Sequence, residues 1–487
     1  MAVISRPRDS LRRSLVGLSG AALLLVVLPV PPARAALPVV PSLRGVPSAQ
    51  EVDPGARVDN PYAGALGYVD PEWSAKAAEY PQGERIARTS TAIWLDSIDA
   101  VVGPIDGGSG DRVAESWPHR LLTLRQHLNK ALEQQKAAGG LPLTVQVVLH
   151  NLPGRECWIS EWHGGMPPER IDRYREDYVD RIAWILSSPE YRSLRVVAVV
   201  EPMALPSLVA TAADGVVGET CRRMREKGTY VQGIQYALDT LGGIGNVYLY
   251  LDLAHHGFIG WPDLLRPTLD LVAQTARGTK RGLAGVTGFT VNVANYGATV
   301  EPYFTIDTVV GGASVRRSRW VDWNSFVDES SFARAARAGL IERGFPPSIG
   351  MVIDTSRNGW GGPDRPTGPS SSTDLDTFVD ESRTDRRISA SEGWCNQETA
   401  GLGARPTASP SPGIDAYAWI KPPGESDGAP SPELPGGLWD RCAPHYEGRG
   451  GPVASGAMPE APRYGQWFAA HFVRLLENAR PDVVGGP

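Results

Sequence analysis

Short apolar runs alternate with amphipathic stretches along most of this chain. Residues 91–98, 143–149, 194–200, 246–251, 286–293, 348–353 and 414–420 read as strands. The run 194–200 is apolar apart from Arg195, as in a parallel strand buried on both faces. Between them, 113–138, 168–187, 231–241, 262–276 and 329–343 read as helices, and 466–479 closes the chain as another. In the first of these Leu121, Leu122, Leu124, Leu128 and Leu132 recur near helical spacing, and Gly139-Gly140 ends it. Pro168 opens the second. Seven strands separated by helices predict an α/β fold with a parallel sheet, most economically a β/α barrel. Polar residues sit at the strand ends: Asp96, Asn151, Glu201, Asp252, Asn295, Asp354 and Lys421. Barrels of this kind build their sites there. Residues 355–412 show no regular pattern and are rich in Gly, Pro, Ser and Asp. A stretch this long predicts an active-site loop, and Trp360, Trp394 and Cys395 favour an ordered one.

The N-terminus breaks this alternation. Arg6, Arg8, Arg12 and Arg13 precede an apolar run from Leu15 to Val30, and Ala33-Arg-Ala35 fits a cleavage site. Residues 1–35 are therefore expected to be a signal peptide, 36–58 a short Pro-rich arm, and 59–487 one catalytic-type domain. No other segment is long and apolar enough to span a bilayer, so a secreted, extracellular protein is expected, with no membrane contact after cleavage. The net charge of −6, with both signs interspersed, gives no basic surface to hold nucleic acid. Export permits disulfides. The four cysteines, Cys157, Cys221, Cys395 and Cys442, allow three pairings, of which Cys157–Cys221 with Cys395–Cys442 is the local choice. Their spacing is too wide for a zinc site. Neither a metal nor a cofactor is expected, and a monomer is.

Two charged corners stand out. One is Asn151-Leu-Pro-Gly-Arg-Glu-Cys157; the other is Trp419-Ile-Lys-Pro-Pro-Gly-Glu-Ser-Asp-Gly428, which follows an apolar strand. Hydrolysis of a glycosidic bond needs two carboxyl groups, one to protonate the leaving oxygen and one to act at the anomeric side. Glu156, Glu201, Asp252, Glu425 and Asp427 are available at corners, with Trp94, Trp261, Trp394 and Trp419 as flat apolar surfaces for sugar rings.

These corners, with Val200-Glu-Pro-Met-Ala-Leu205, Leu251-Asp-Leu-Ala-His-His-Gly-Phe-Ile-Gly-Trp-Pro262 and Asn292-Val-Ala-Asn-Tyr296, resemble successive signatures of glycoside hydrolase family 6. These are inverting cellulases on a distorted seven-stranded α/β barrel. Asp354-Thr-Ser-Arg-Asn-Gly-Trp-Gly-Gly362 and Gly393-Trp-Cys395 resemble its bacterial exo-acting, cellobiohydrolase branch. The resemblance spans roughly 59–487 and implies both local disulfides. It places Asp427 as the catalytic base. Lys421, Glu425, Trp94, Asp96, His255, Trp261, Asn295 and Trp394 are implied to bind sugar, and Phe258 stands where a Trp is common. Residues 355–412 would supply one wall of a tunnel over a cellulose chain.

The donor side departs from that pattern. The family's proton donor, two residues after the Glu at the strand end, is Met203, whose thioether has no proton to give. Its assisting aspartate is Glu156, and a loop serine aligns with Trp162. Glu156 is the expected substitute acid and Glu161 a second candidate. The expectation is a secreted β-1,4-glucanase acting on cellulose with inversion, its activity weakened or rerouted. The alternatives are a non-hydrolytic β-glucan-binding homologue and a hydrolase of a different β-glucan.

Overall fold

The computed structural model describes residues 57–103, 122–157, 166–210, 215–389, 393–430, 441–448 and 451–483. The expected signal peptide, nearly all of the arm, the first part of the 113–138 helix, Glu161 and Trp162 lie outside them.

The strands in chain order are β1 (Leu66–Gly67), β2 (Ile93–Leu95), β3 (Leu143–Leu149), β4 (Leu194–Val200), β5 (Val247–Asp252), β6 (Gly288–Val291), β7 (Val309–Val310), β8 (Ala313–Ser314), β9 (Gly350–Asp354), β10 (Thr407–Ser411), β11 (Ile414–Ala418), β12 (His445–Gly448) and β13 (Gly451–Ala454). The main sheet runs β1-β3-β4-β5-β6-β9-β11-β10. β1 pairs with the start of β3 and β2 with its end. Every pair is parallel except β10 on β11. The pairs β7–β8 and β12–β13 are separate small hairpins.

The seven strands β2, β3, β4, β5, β6, β9 and β11 are the seven expected from the alternation, and they curl into an incompletely closed barrel. Its two edges meet at the top. Ala92 N donates to Trp419 O at 3.1 Å, and Trp94 Nε1 donates to Ile420 O at 2.9 Å. Alternate strand residues divide between two apolar layers, as the two-residue period requires. Val145, Val147, Val196, Ala198 and Leu249 pack outward beneath the helices. Val148, Val197, Val199, Tyr248, Val352 and Ala416 fill the interior with Trp94.

Several boundaries follow from local chemistry. The strand expected over 91–98 stops at Leu95 because Ser97 accepts from Ala100 N (3.1 Å) and caps the helix Ile98–Val102. A capping box of Thr123 with Gln126 starts the helix Leu124–Ala137. The segment 355–412 is not without regular structure. It holds a helix, Leu375–Ser382, capped by Asp374 on Thr377 N (2.9 Å), and the antiparallel edge strand β10. The helix was obscured by its Ser and Asp content, which suits caps and turns equally, and β10 by its Ser and Pro. Helices Ala204–Ala210 and Gly215–Lys227 are likewise additional to those expected. Both local disulfides, Cys157–Cys221 and Cys395–Cys442, are formed. No helix among the described residues is long and apolar enough to cross a membrane.

Inside the barrel, Asp415 accepts from Tyr250 OH at 2.7 Å, and burial pushes its carboxyl up to about 6. A raised acid contributes most below its unfolded value near 4 and loses that contribution as pH rises through about 6. Asp415→Asn should therefore gain stability relative to wild type, by about 1–2 kcal/mol, between pH 4 and 7. Thermal melts of both proteins across that range check this; a pH-independent difference would refute it.

Candidate active site

Loops at the C-terminal strand ends build one half of the site around Asp427. Its carboxylate accepts from Arg357 Nη1 at 2.7 and 2.8 Å, from Tyr296 OH at 2.5 Å and from Asn396 N at 2.8 Å. Arg357 follows β9, Tyr296 follows β6, and Asn396 comes from the long 355–412 segment. Burial alone would raise the Asp427 carboxyl. The Arg357 guanidinium and the Lys421 ammonium outweigh it and hold the group below the usual carboxylate range.

Lys421 is buried, with Nζ 3.6 Å from Glu425 Oε2. The same ammonium lies over the rings of Trp94 (5.2 Å) and Tyr464 (4.6 Å). Asp354 positions this group: its carboxylate accepts from Lys421 N (3.0 Å), Ala294 N (3.0 Å) and Ser356 N (3.0 Å), tying the tops of β6, β9 and β11 together.

The opposite half is assembled from the tops of β3, β4 and β5. Two of its carboxyls are saturated by the protein itself. Glu201 accepts from Asn151 N (3.1 Å) and Leu152 N (3.2 Å), and Asp252 accepts from Met203 N (2.9 Å), Ala254 N (2.8 Å) and Thr290 Oγ1 (2.8 Å). Burial pushes both up, Asp252 to about 7. They act as backbone clamps, so two of the five corner carboxyls are engaged in holding the loops. Glu156 differs: its side chain is 17% exposed, with Oε1 3.3 Å from His150 Nε2. His150, Glu156, Glu201 and Met203 line one narrow cavity. Tyr464 spans the two halves, since its hydroxyl is pushed up by burial and by Glu156, Asp96 and Glu425 together.

The remaining expected sugar-binding residues spread along the same rim. Trp94 and Asp96 are buried; the Trp94 ring lies 5.4 Å from that of His150, edge to face, and the Asp96 carbonyl accepts from Arg155 (2.8 Å). His255 is buried beside Phe258, ring centroids 6.0 Å apart. Burial and the neighbouring Arg387 hold its imidazole well below the usual range. Asn295 accepts from Arg387 Nη1 at 2.8 Å. Trp261 lies further along, donating to Asp322 O (2.7 Å) in a cavity it shares with Trp320. Trp394 is half-buried, two residues before Asn396. The long segment thus reaches the site through Arg387 and Asn396.

Arg357 and Tyr296 lie inside motifs that the sequence had singled out, without a role assigned. His150, Arg387, Asn396 and Tyr464 carried no such signal. Away from the strand ends, ligand-type atoms of Asp70, Glu72 and His127 lie within 4.8 Å of one another. Two of these residues are already engaged: Asp70 accepts from Glu72 N (2.9 Å), and His127 Nδ1 meets Tyr68 OH (3.0 Å).

A curled parallel sheet, with aromatic side chains and opposed carboxyl groups at its strand tops, defines a glycosidase-type α/β protein. The chain belongs to the glycosyl hydrolases family 6, whose profile matches residues 57–479. It is 40% identical over 452 residues to Exoglucanase A of Cellulomonas fimi, covering 88% of this chain and 49% of that one. The chain thus spans about half the length of that relative. It is 29% identical to the 1,4-beta-D-glucan cellobiohydrolase C of Emericella nidulans over 439 residues, covering 87% of this chain and 79% of that one. Among solved structures, the catalytic domain of Cellulomonas fimi Cel6B superposes with a TM-score of 0.79 at 38% identity, covering 89% of this chain and 98% of that one. The CcCel6A catalytic domain complexed with p-nitrophenyl beta-D-cellotrioside superposes with a TM-score of 0.64 at 28% identity, covering 88% and 99%.

Removing one member of a buried ion pair leaves its partner charged and desolvated. Arg357→Leu should cost about 3–5 kcal/mol of folding stability. Denaturant titration measures it, and a loss below about 1 kcal/mol, the worth of a surface pair, would show that Asp427 does not depend on this arginine.

Proposed function

We propose that the protein is a secreted β-1,4-glucanase of cellobiohydrolase type that hydrolyses cellulose chains with inversion. Residues 59–487 are its catalytic domain, residues 1–35 its export signal, and it works as a monomer. The observation that carries this reading is the intact base side. Asp427 is held ionised by Arg357, beside Lys421, Glu425, Trp94 and Tyr464, which offer sugar-binding groups of both polarities. In an inverting mechanism Asp427 acts on the attacking water, and an acid across the sugar protonates the departing oxygen. Glu156 is that acid here. The relatives' names, exoglucanase and cellobiohydrolase, agree with this substrate class.

A second reading is a glucan-binding homologue without turnover. Met203 favours it, because it occupies the position of the family's proton donor. Its backbone is pinned at φ 65 with its N–H on Asp252, a conformation that aspartate adopts more readily than methionine. Incubation with cellohexaose, beside a separate binding measurement, separates the two. Cleavage giving the α-anomer is expected; binding without cleavage establishes the second reading. Glu156→Gln should lower the rate by about 10²- to 10⁴-fold, and adding Met203→Asp to that variant should restore turnover. An unchanged rate in Glu156→Gln removes Glu156 from the role.

A further inference from the structure

The cleft carboxyl assigned as the acid has an imidazole nitrogen 3.3 Å from it. We propose that His150 and Glu156 form one acid unit, in which Glu156 protonates the leaving oxygen and the His150 Nε2–H holds the Glu156 carboxyl in position for that transfer. This rests on the hydrolase reading above.

The geometry carries it in three steps. His150 Nε2 lies 3.3 Å from Glu156 Oε1, and both side chains face the cavity at Met203. The ring's other nitrogen, Nδ1, is buried with no hydrogen-bond partner among the described residues. A proton placed there on the neutral ring would be an unpaired buried donor, so the neutral ring keeps its proton on Nε2, aimed at Glu156. The neighbouring carboxyls are not alternatives, because Glu201 and Asp252 are already saturated by backbone amides and the Thr290 hydroxyl.

The charged surroundings on every side are defined. Glu201 lies within electrostatic reach of His150 from β4. Arg155 faces it from its own corner, donating to the His150 carbonyl and to that of Asp96. Tyr178 OH accepts from His150 N at 3.1 Å, and the Tyr230 and Tyr464 hydroxyls lie near Glu156. Trp94 closes the remaining side, edge to face with the ring.

The proton count balances. The active unit carries one proton more than neutral imidazole with carboxylate. As the glycosidic C–O bond breaks, its electron pair stays on the leaving oxygen, which takes a proton from Glu156. Water adds to the anomeric carbon and gives its proton to the base side. The Glu156 carboxylate, held by the Nε2–H of the neutral ring, regains its proton from solvent, to which its side chain is 17% exposed. The alkaline limb of kcat should follow loss of the one extra proton of this unit.

The test compares wild type, Glu156→Gln, His150→Gln and His150→Asn on cellohexaose and on β-cellobiosyl fluoride, whose leaving group departs without needing a proton. Cellohexaose binding confirms that each variant is folded. Both His150 variants are expected to lose about 10²-fold or more in kcat on cellohexaose, with KM little changed. Their rate on the fluoride should stay within a few-fold of wild type, and the alkaline limb on cellohexaose should move. If Glu156→Gln is slow while both His150 variants keep the wild-type rate and pH profile, the pair is overturned and Glu156 acts alone. Wild-type cleavage of the fluoride but not of cellohexaose also overturns it, since no acid is then present. If wild type cleaves neither while binding cellohexaose, the hydrolase reading itself fails, and the pair with it.

Discussion

The structure depends on how it satisfies carboxylates that the barrel buries at its rim. A buried ionised carboxylate is costly unless amides or cations surround it. At the top of the sheet this constraint is met four times. Asp354, Glu201 and Asp252 are each met by backbone amides from loops that follow other strands. Asp427 is met by a guanidinium, a phenol and one amide. Each solution fixes a loop, and together they define the cleft. The carboxyls that look most catalytic by position are therefore partly architectural.

That distinction separates the two halves of the site. On the base side, the cation ring around Asp427 holds it ionised and is built from the long segment and the β6 loop. On the acid side, Met203 keeps the backbone bond to Asp252 although its side chain has no proton to give. The scaffold of that side is thus held by backbone bonds that do not depend on the side chain at 203.

Much of the fold was legible, because β-branched apolar runs such as 194–200 fix a buried parallel strand whatever surrounds them. The two disulfides and Asp427 were legible from local order and motif. Elements coded by polar caps were not: the helix Leu375–Ser382 starts on Asp374 in a segment whose composition reads equally as loop. Tyr464 was illegible for a different reason. It meets Glu156, Lys421 and Glu425 only through tertiary packing, with no spacing in the chain to announce it. His150 gave no sign either, since a lone histidine at a strand end is equally at home in a core.

The seam of the barrel has one more consequence. The two edges of the curled sheet are joined by the main-chain bond from Ala92 to Trp419 and the indole bond from Trp94 to Ile420, and the Lys421 ammonium lies over that indole. The floor of the cleft is thus also the fastening of the sheet. A chain of sugars lying across Trp94 and Lys421 would bridge the join between the sheet's two edges, so occupancy and closure of the barrel would be one mechanical property.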